Sequence, residues 1–153
     1  MAEYLETTVD KFIFRVATDR LYNAEGVWVL WVESHENGRV RVGLTDYVQQ
    51  HNGDVTFAHI KPAGTRLAAG EEFGEIETIT ATVSLHAPVA GEIVEVNAAL
   101  DVSPEIINQN PYEKGWLAVV KAANWEADRA RLLDPQGYFS LMRSQAEEEL
   151  KKL

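Results

Sequence analysis

The segment 75–86 cannot form one regular β-strand, and no other feature constrains the fold as strongly. Its first apolar residue, Ile76, stands at an even position between two glutamates, whereas the later apolar residues, at 79, 81, 83 and 85, stand at odd positions. Successive side chains of a strand point to opposite faces, so one continuous strand would turn half of this apolar set to water. The phase therefore slips by one between Thr78 and Ala81.

A tight turn or a β-bulge at this point would repair the alternation. We favour a turn, which gives a hairpin with arms 73–78 and 82–87 and with Ile79 and Thr80 at its tip. The tip holds neither glycine nor an Asn-Gly pair, so the turn must use ordinary backbone conformations. The pattern thus predicts a hairpin that presents Thr80 at an exposed position.

The rest of the chain reads as short strands at close spacing. Segment 26–33 is apolar on both faces and is expected to be central, and Asn37-Gly38 predicts a hairpin turn to 39–44, where Val40, Val42 and Leu44 alternate. The remaining predicted strands are 8–17, with Phe12 and Phe14 on one face, 54–60, with Val55, Phe57 and His59 on one face, the stretch after Pro88 through Val96, and 115–122.

Helices are expected between and after the strands. The predicted helices are a short one capped by Thr45 and Asp46 and ended by Asn52-Gly53, one starting at Ser103-Pro104 and reaching Asn108, one over 125–133, and one from Asp134-Pro135 to Leu150 with Leu141, Gln145 and Glu148 on one face. Many strands with a few helices predict a mainly β fold, a sandwich or barrel with peripheral helices.

Composition excludes several kinds of chemistry. The 153 residues include no cysteine, which rules out disulfides, thiolate catalysis and Cys-ligated zinc. The net charge of −10 argues against a nucleic-acid partner, and it either directs the chain toward basic protein surfaces or serves only to keep the protein in solution. The first ten residues, MAEYLETTVD, do not resemble a signal peptide, and no apolar run is long enough to span a membrane. We expect a cytoplasmic monomer.

Five separated segments together resemble one family. They occur in the order VRVGLTDYVQQHNGDVTFAHI, AGTRLAAGEEFGEIET, HAPVAGEIVEVNAAL, SPEIINQNPYEKGWLAVV and LLDPQGYFSLM. The chain is similar, over roughly residues 20–142, to the H-protein of the glycine cleavage system. The segment LYNAEGVWV resembles the entry strand of that family, although Gly26 stands where a histidine is usual.

The resemblance implies a fold and a role. It implies a single lipoyl-like domain over 1–153, a flattened sandwich or barrel of two sheets with its core in 20–122 and helices over 124–150. H-proteins are not enzymes but carry lipoyl on a lysine at a hairpin tip. The arm collects an aminomethyl group at the decarboxylase and offers it to the aminomethyl transferase, and dihydrolipoyl dehydrogenase reoxidises it. A tethered arm of this kind replaces diffusion with a high effective concentration.

The attachment motif of the family departs at one position. The family pattern is approximately Gly-x-x-Glu-Ser-x-Lys, and this chain reads Gly74-Glu75-Ile76-Glu77-Thr78-Ile79-Thr80. By resemblance, the residues that the lipoylating enzyme would recognise on the hairpin are Gly74, Glu77, Thr78, Ile79, Ala81 and Gly91, whereas Thr80 replaces the lysine. A threonine hydroxyl cannot form the amide, so we expect no lipoyl here.

Three explanations remain open at this stage. The chain is a paralogue that lost its arm and acts by docking on the enzymes named above, on a lipoylating enzyme or on another protein. Alternatively, it is a variant of an authentic carrier in glycine catabolism or a related redox pathway, since a single base change converts lysine to threonine. In the third, lipoyl is bound noncovalently or attached elsewhere.

Other candidate chemistry is weak. The four histidines, His35, His51, His59 and His86, show no helical metal-ligand spacing, so no metal is expected, and His59 is interpreted as a core or edge histidine. The acidic run from Glu71 to Glu77 could supply an acid–base pair but is more typical of a solvated face. No nucleophile elbow or P-loop motif is present.

Overall fold

The computed structural model describes residues 2–32 and 38–152. Within them the chain forms strands and helices in the order β1 (Tyr4–Val9), β2 (Phe12–Ala17), β3 (Leu21–Tyr22), β4 (Val27–Trp31), β5 (Arg39–Leu44), α1 (Asp46–Asn52), β6 (Val55–Ile60), β7 (Arg66–Leu67), β8 (Glu72–Thr78), β9 (Thr82–His86), β10 (Gly91–Val96), α2 (Ala99–Val102), α3 (Ile106–Gln109), β11 (Ala118–Ala122), α4 (Trp125–Arg129) and α5 (Pro135–Lys151).

Two sheets share the main core. One has the strand order β3-β4-β5-β11-β10-β7 and the other the order β6-β8-β9. Val42, Ile93 and Val120 of the first sheet and Ile76 and Leu85 of the second belong to the same buried cluster. This confirms the predicted sandwich. In the part of the chain that the structure describes, the strands do not close into a barrel.

The pairing of β4 with β5 confirms the central hairpin. Val40, Val42 and Leu44 are buried, as their alternation predicts. The expected burial of both faces of β4 holds only for its first half, because Trp31 is 39% exposed where the strand leaves the core. Asn37, the first residue of the predicted turn, lies outside the described residues.

The prediction of a single strand over 8–17 is wrong. The chain instead doubles back, and β1 pairs antiparallel with β2 from Tyr4↔Ala17 to Val9↔Phe12. Asp10 turns the chain with a φ of 56°, a left-handed conformation that a short polar side chain such as aspartate tolerates. The resulting hairpin is a third, two-stranded sheet, and Val9 and Phe14 on it join a second core cluster.

The short helices are partly as predicted. The Thr45 hydroxyl caps α1 by accepting from the Val48 N–H, and Gly53 ends the helix with a φ of 85°. The predicted start at Ser103 is wrong, because Ser103 ends α2, a helix that the sequence did not reveal. The side chain of Asn97 accepts from the Ala99 N–H and so helps to begin α2 early.

Helix α4 is shorter than the predicted 125–133. It ends at Arg129 because the chain extends to pair Leu133 with Tyr22. The Leu133 N–H donates to the Tyr22 carbonyl at 2.7 Å, and the Tyr22 N–H donates back to Leu133 at 2.9 Å. This bridge ties the C-terminal segment to the edge of the larger sheet.

Helix α5 begins where predicted, and residues that the sequence analysis did not single out form its inward face. The Asp134 carboxylate accepts from the Gly137 N–H at 2.7 Å and caps it. Tyr138, Met142 and Ala146 are the buried residues, whereas Leu141, Gln145 and Glu148 share one face, as predicted, and that face is largely exposed. The stacking of Tyr138 on Tyr22, with ring centroids 4.6 Å apart, orients the helix.

The hairpin tip as candidate functional site

Strands β8 and β9 form the hairpin that the phase slip predicts. Their register, Glu77↔Thr82, continues to the tip, where the Thr78 N–H donates to the Ala81 carbonyl at 2.8 Å. Ile79 is 85% exposed and Thr80 is also exposed. Thr80 therefore lies at the end of a regular two-stranded projection.

The Thr78 side chain explains how the tip closes without a glycine. Its hydroxyl oxygen accepts from the Ala81 N–H at 3.2 Å and lies 3.3 Å from the Ala81 carbonyl, to which it can donate. The residue itself is buried. The Thr78 hydroxyl thus replaces a backbone hydrogen bond of the turn, a local use that is common for serine and threonine.

The inner face of the hairpin anchors it to the core. Ile76 and Leu85 are buried, and Val55 on β6 is buried opposite Thr78. The turn has restored the alternation, since the apolar residues of both arms now face the same way. These buried contacts fix the position of the hairpin tip relative to the sandwich.

The outer face gathers His59, Glu75 and Glu77. His59 on β6 pairs with Glu75 on β8, and His59 Nε2 lies 3.9 Å from Glu77 Oε1. The sequence predicted either a core or an edge position for His59. The structure shows an edge position, because β6 is the outer strand of its sheet and the His59 side chain is 55% exposed. A register irregularity between Val55 and Phe57 separates it from the buried face of Val55.

The sequence missed this grouping. Ligating atoms of the three side chains lie within 4.8 Å of one another. They come from two strands, so no spacing along the chain shows them together. The only available signal was the parity of Glu75 and Glu77, which places both on one face.

Most of the hairpin residues predicted for recognition do lie together. Gly74, Glu77, Thr78, Ile79 and Ala81 belong to this hairpin or its tip. Gly74 is in close contact with β6, since a Cβ there would lie 2.5 Å from the His59 carbonyl oxygen.

Gly91 is separate from the hairpin. It begins β10 in the larger sheet, where it pairs with Ala122 and Leu67. A side chain at this position would overlap the Lys121 carbonyl. Its glycine therefore serves close strand packing.

No lysine of the chain stands near Thr80 in sequence. The six lysines are Lys11, Lys61, Lys114, Lys121, Lys151 and Lys152. Lys61, the nearest in sequence, donates its N–H to Phe73 at the opposite end of the hairpin. At about 3.4 Å per strand residue, that end lies roughly 20 Å from the tip.

Other candidate groups have structural partners. The Glu71 carboxylate accepts from the Ala68 N–H at 3.0 Å and lies 3.8 Å from Lys61 Nζ. These contacts stabilise the turn between Ala68 and Glu71, and they do not form an acid–base pair. His86 Nδ1 lies 2.8 Å from the Glu25 carboxylate, and His51 stacks on Tyr47. His35 lies outside the described residues.

Comparison with known proteins decides the family. The family model described as glycine cleavage H-protein matches residues 20–145, which include both larger sheets and the hairpin. The chain belongs to the glycine cleavage H-protein family.

Similar curated proteins carry the same name. The glycine cleavage system H protein of Chlorobium limicola is 40% identical over 127 residues, which cover 83% of this chain and 97% of that protein. The glycine cleavage system H protein of Chromohalobacter salexigens is 44% identical over 112 residues, 73% of this chain and 85% of that protein.

A solved structure shows the same fold. The crystal structure of a glycine cleavage system H protein from Mycobacterium marinum superposes with a TM-score of 0.72 at 34% identity and covers 80% of this chain and 95% of that one. The H-protein family consists of lipoyl carriers that interact with glycine cleavage enzymes and are not enzymes themselves. Among the described residues, no helix is long and apolar enough to cross a membrane.

Proposed function

We propose that the chain is an H-protein-like docking protein that carries no lipoyl group at its hairpin tip. The observation that carries this proposal is the position of Thr80, which is exposed at the end of the β8–β9 hairpin beside residues that resemble the attachment motif of the family. We expect the protein to act as a monomer in the cytoplasm.

The chemistry of attachment supports the first half of the proposal. Lipoyl is joined to its carrier through an amide, which requires a side-chain amine. Thr80 offers only a hydroxyl, and the nearest lysine in sequence, Lys61, is at the far end of the hairpin. A lipoyl arm on any other lysine would start from a different surface and would not project from the tip.

The retained hairpin supports the second half. The backbone pairing of β8 and β9 and the closure at Thr78 do not involve the Thr80 side chain, so losing the lysine leaves the projecting shape intact. The partners that we propose for this hairpin are the decarboxylase, the aminomethyl transferase, the dihydrolipoyl dehydrogenase or a lipoylating enzyme. The net charge of −10 favours basic docking faces, with binding that weakens as salt rises.

A second candidate is a variant of an authentic carrier. The retention of Gly74, Glu77 and a hydroxyl residue at Thr78 favours it, because these positions match the attachment motif. On this interpretation only the modified residue has changed, and the chain derives from a working carrier in glycine catabolism or a related redox pathway.

Competition with an authentic lipoylated H-protein tests the docking function. Increasing amounts of the chain should inhibit the aminomethyl transferase competitively. Ile79→Asp at the tip should weaken this inhibition, because it removes an exposed apolar side chain from the tip and replaces it with a charged one that docking must desolvate. Val102→Asp is the matched control, since Val102 is an equally exposed aliphatic residue, at 83%, on α2. Absence of competition at a large excess of the chain would contradict docking on this enzyme.

A further inference from the structure

The outer face of the hairpin brings together three metal-ligating side chains. His59 faces Glu75 across the β6–β8 pairing, and Glu77 follows two residues later on the same face. Their ligating atoms lie within 4.8 Å of one another, with His59 Nε2 and Glu77 Oε1 at 3.9 Å. The sheet backbone fixes all three Cα positions, so the set does not depend on a mobile loop.

Small side-chain rotations would complete the geometry. Metal–nitrogen and metal–oxygen bonds of about 2.1 Å place two ligands of one ion roughly 3 to 3.5 Å apart. The distance between His59 Nε2 and Glu77 Oε1, 3.9 Å, exceeds that ligand–ligand spacing by about 1 Å or less. Both glutamates are at the surface, and Phe57 stacks on the His59 ring at 5.7 Å and 11°, which limits the orientations of the imidazole.

The local charge also calls for a cation. Glu75 and Glu77 share one face, and their neighbours across on β9 are the neutral Ser84 and Thr82. Of the salt bridges formed by the described residues, only the one with His59 involves either glutamate. The two carboxylates therefore lack a lysine or arginine partner in the described residues, and an ion between them would relieve their repulsion.

We propose that His59, Glu75 and Glu77 bind a divalent transition-metal ion, of which Zn²⁺ is the representative. One imidazole nitrogen with carboxylate oxygens suits zinc better than Mg²⁺ or Ca²⁺, which prefer oxygen ligands alone. Three protein ligands leave a fourth position for water or for a side chain of a docked partner. The site lies on the face of the hairpin that leads to the tip.

Calorimetric titration of the untagged chain tests the site directly. We expect one equivalent of Zn²⁺ to bind, and the same concentration of Mg²⁺ not to compete. His59→Ala should weaken Zn²⁺ binding by at least about ten-fold, the loss that removing even an outer partner of a metal ligand causes. Glu77→Gln should weaken it to a similar degree. All three side chains are at least partly exposed, so both variants should keep the circular dichroism spectrum of the parent chain.

His86→Ala is the matched control. His86 also lies beside a carboxylate, 2.8 Å from Glu25, but it does not belong to the three-residue cluster. It should bind Zn²⁺ as the parent does. Absence of binding to the parent chain, or loss of binding in His86→Ala but not in His59→Ala, would overturn the proposal.

A second readout follows from linkage. Zn²⁺ at about 100 times its dissociation constant should raise Tm by roughly 5 to 10 °C, and His59→Ala should abolish that rise. An unchanged Tm in the parent chain would also contradict the site. The site does not depend on the docking function, because metal binding is measured without any partner enzyme.

Discussion

Two threonines at the hairpin tip carry different consequences. Thr78 is buried and closes the turn with its hydroxyl, whereas Thr80 is exposed at the tip, where our proposal places the missing attachment lysine. The first explains why the hairpin keeps its shape, and the second explains why that shape should stay unmodified. A change at residue 80 should therefore alter modification of the hairpin without altering its shape.

The closure at Thr78 can be tested by Thr78→Val. Valine keeps the size and the strand preference but leaves the Ala81 N–H without its side-chain acceptor. We expect the free energy of unfolding to fall by about 1 kcal/mol, measured by urea denaturation. Thr82→Val, at an exposed position on β9, is the control and should change it by less than about 0.5 kcal/mol. Equal effects of the two changes would show that the Thr78 hydroxyl does not stabilise the turn.

At the scale of elements, alternation within a strand was the most informative sequence signal. It placed the β8–β9 hairpin, because a one-residue slip there reverses which side chains face the core. It failed at the N-terminus, where the apolar and polar residues around Asp10 fit one long strand as well as two paired ones. The cluster of His59, Glu75 and Glu77 was also out of reach, because cross-strand register is set by tertiary pairing.

Helix α5 shows a second limit of local patterns. The sequence analysis placed Leu141 on one face with two polar residues and did not identify the buried face, which is that of Tyr138, Met142 and Ala146. The choice depends on a distant residue, since Tyr138 stacks on Tyr22 and hydrogen-bonds with Thr45 at 2.9 Å. Such contacts are not visible in a helix considered alone.

The orientation of α5 predicts unequal effects of two truncations. Met142→Ala should lower the free energy of unfolding by about 2 to 4 kcal/mol, because Met142 is fully buried. Leu141→Ala, the matched control on the partly exposed face, should cost about 1 kcal/mol or less. Urea denaturation of both variants measures the difference. A larger loss for Leu141→Ala would mean that the helix packs with the face of Leu141 instead.

The whole molecule consists of a sandwich with a second core beneath α5 and the N-terminal hairpin. Three tyrosines in this second core, Tyr22, Tyr112 and Tyr138, bond their hydroxyls to Ala17, Arg15 and Thr45 respectively. Burial raises the pKa of each above its usual value. They join segments that are distant along the chain.

These tyrosines predict a loss of stability in alkali. Their native pKa values lie above the unfolded value of about 10, so the native state retains protons that the unfolded state releases. Stability should be fully present below about pH 10 and should fall as the pH rises further. Urea denaturation between pH 8 and about pH 11, followed with tyrosinate absorbance, measures this.

The control for this prediction is Tyr138→Phe, which keeps the ring but removes one ionising hydroxyl. In this variant the free energy of unfolding should fall less steeply with pH, because up to about one proton fewer is released on unfolding. If all five tyrosines ionise near pH 10 while the fold remains intact, the second core is more open than its burial indicates.

The intact mass of the chain, after production with a lipoylating enzyme and free lipoate, tests the central claim most directly. The unmodified mass is predicted for the chain itself, because Thr80 has no amine. Thr80→Lys, produced in the same way, should gain one lipoyl group at residue 80, which shows that the enzyme is active and that the hairpin still fits it. A lipoyl mass on the parent chain, at any residue, would contradict the claim.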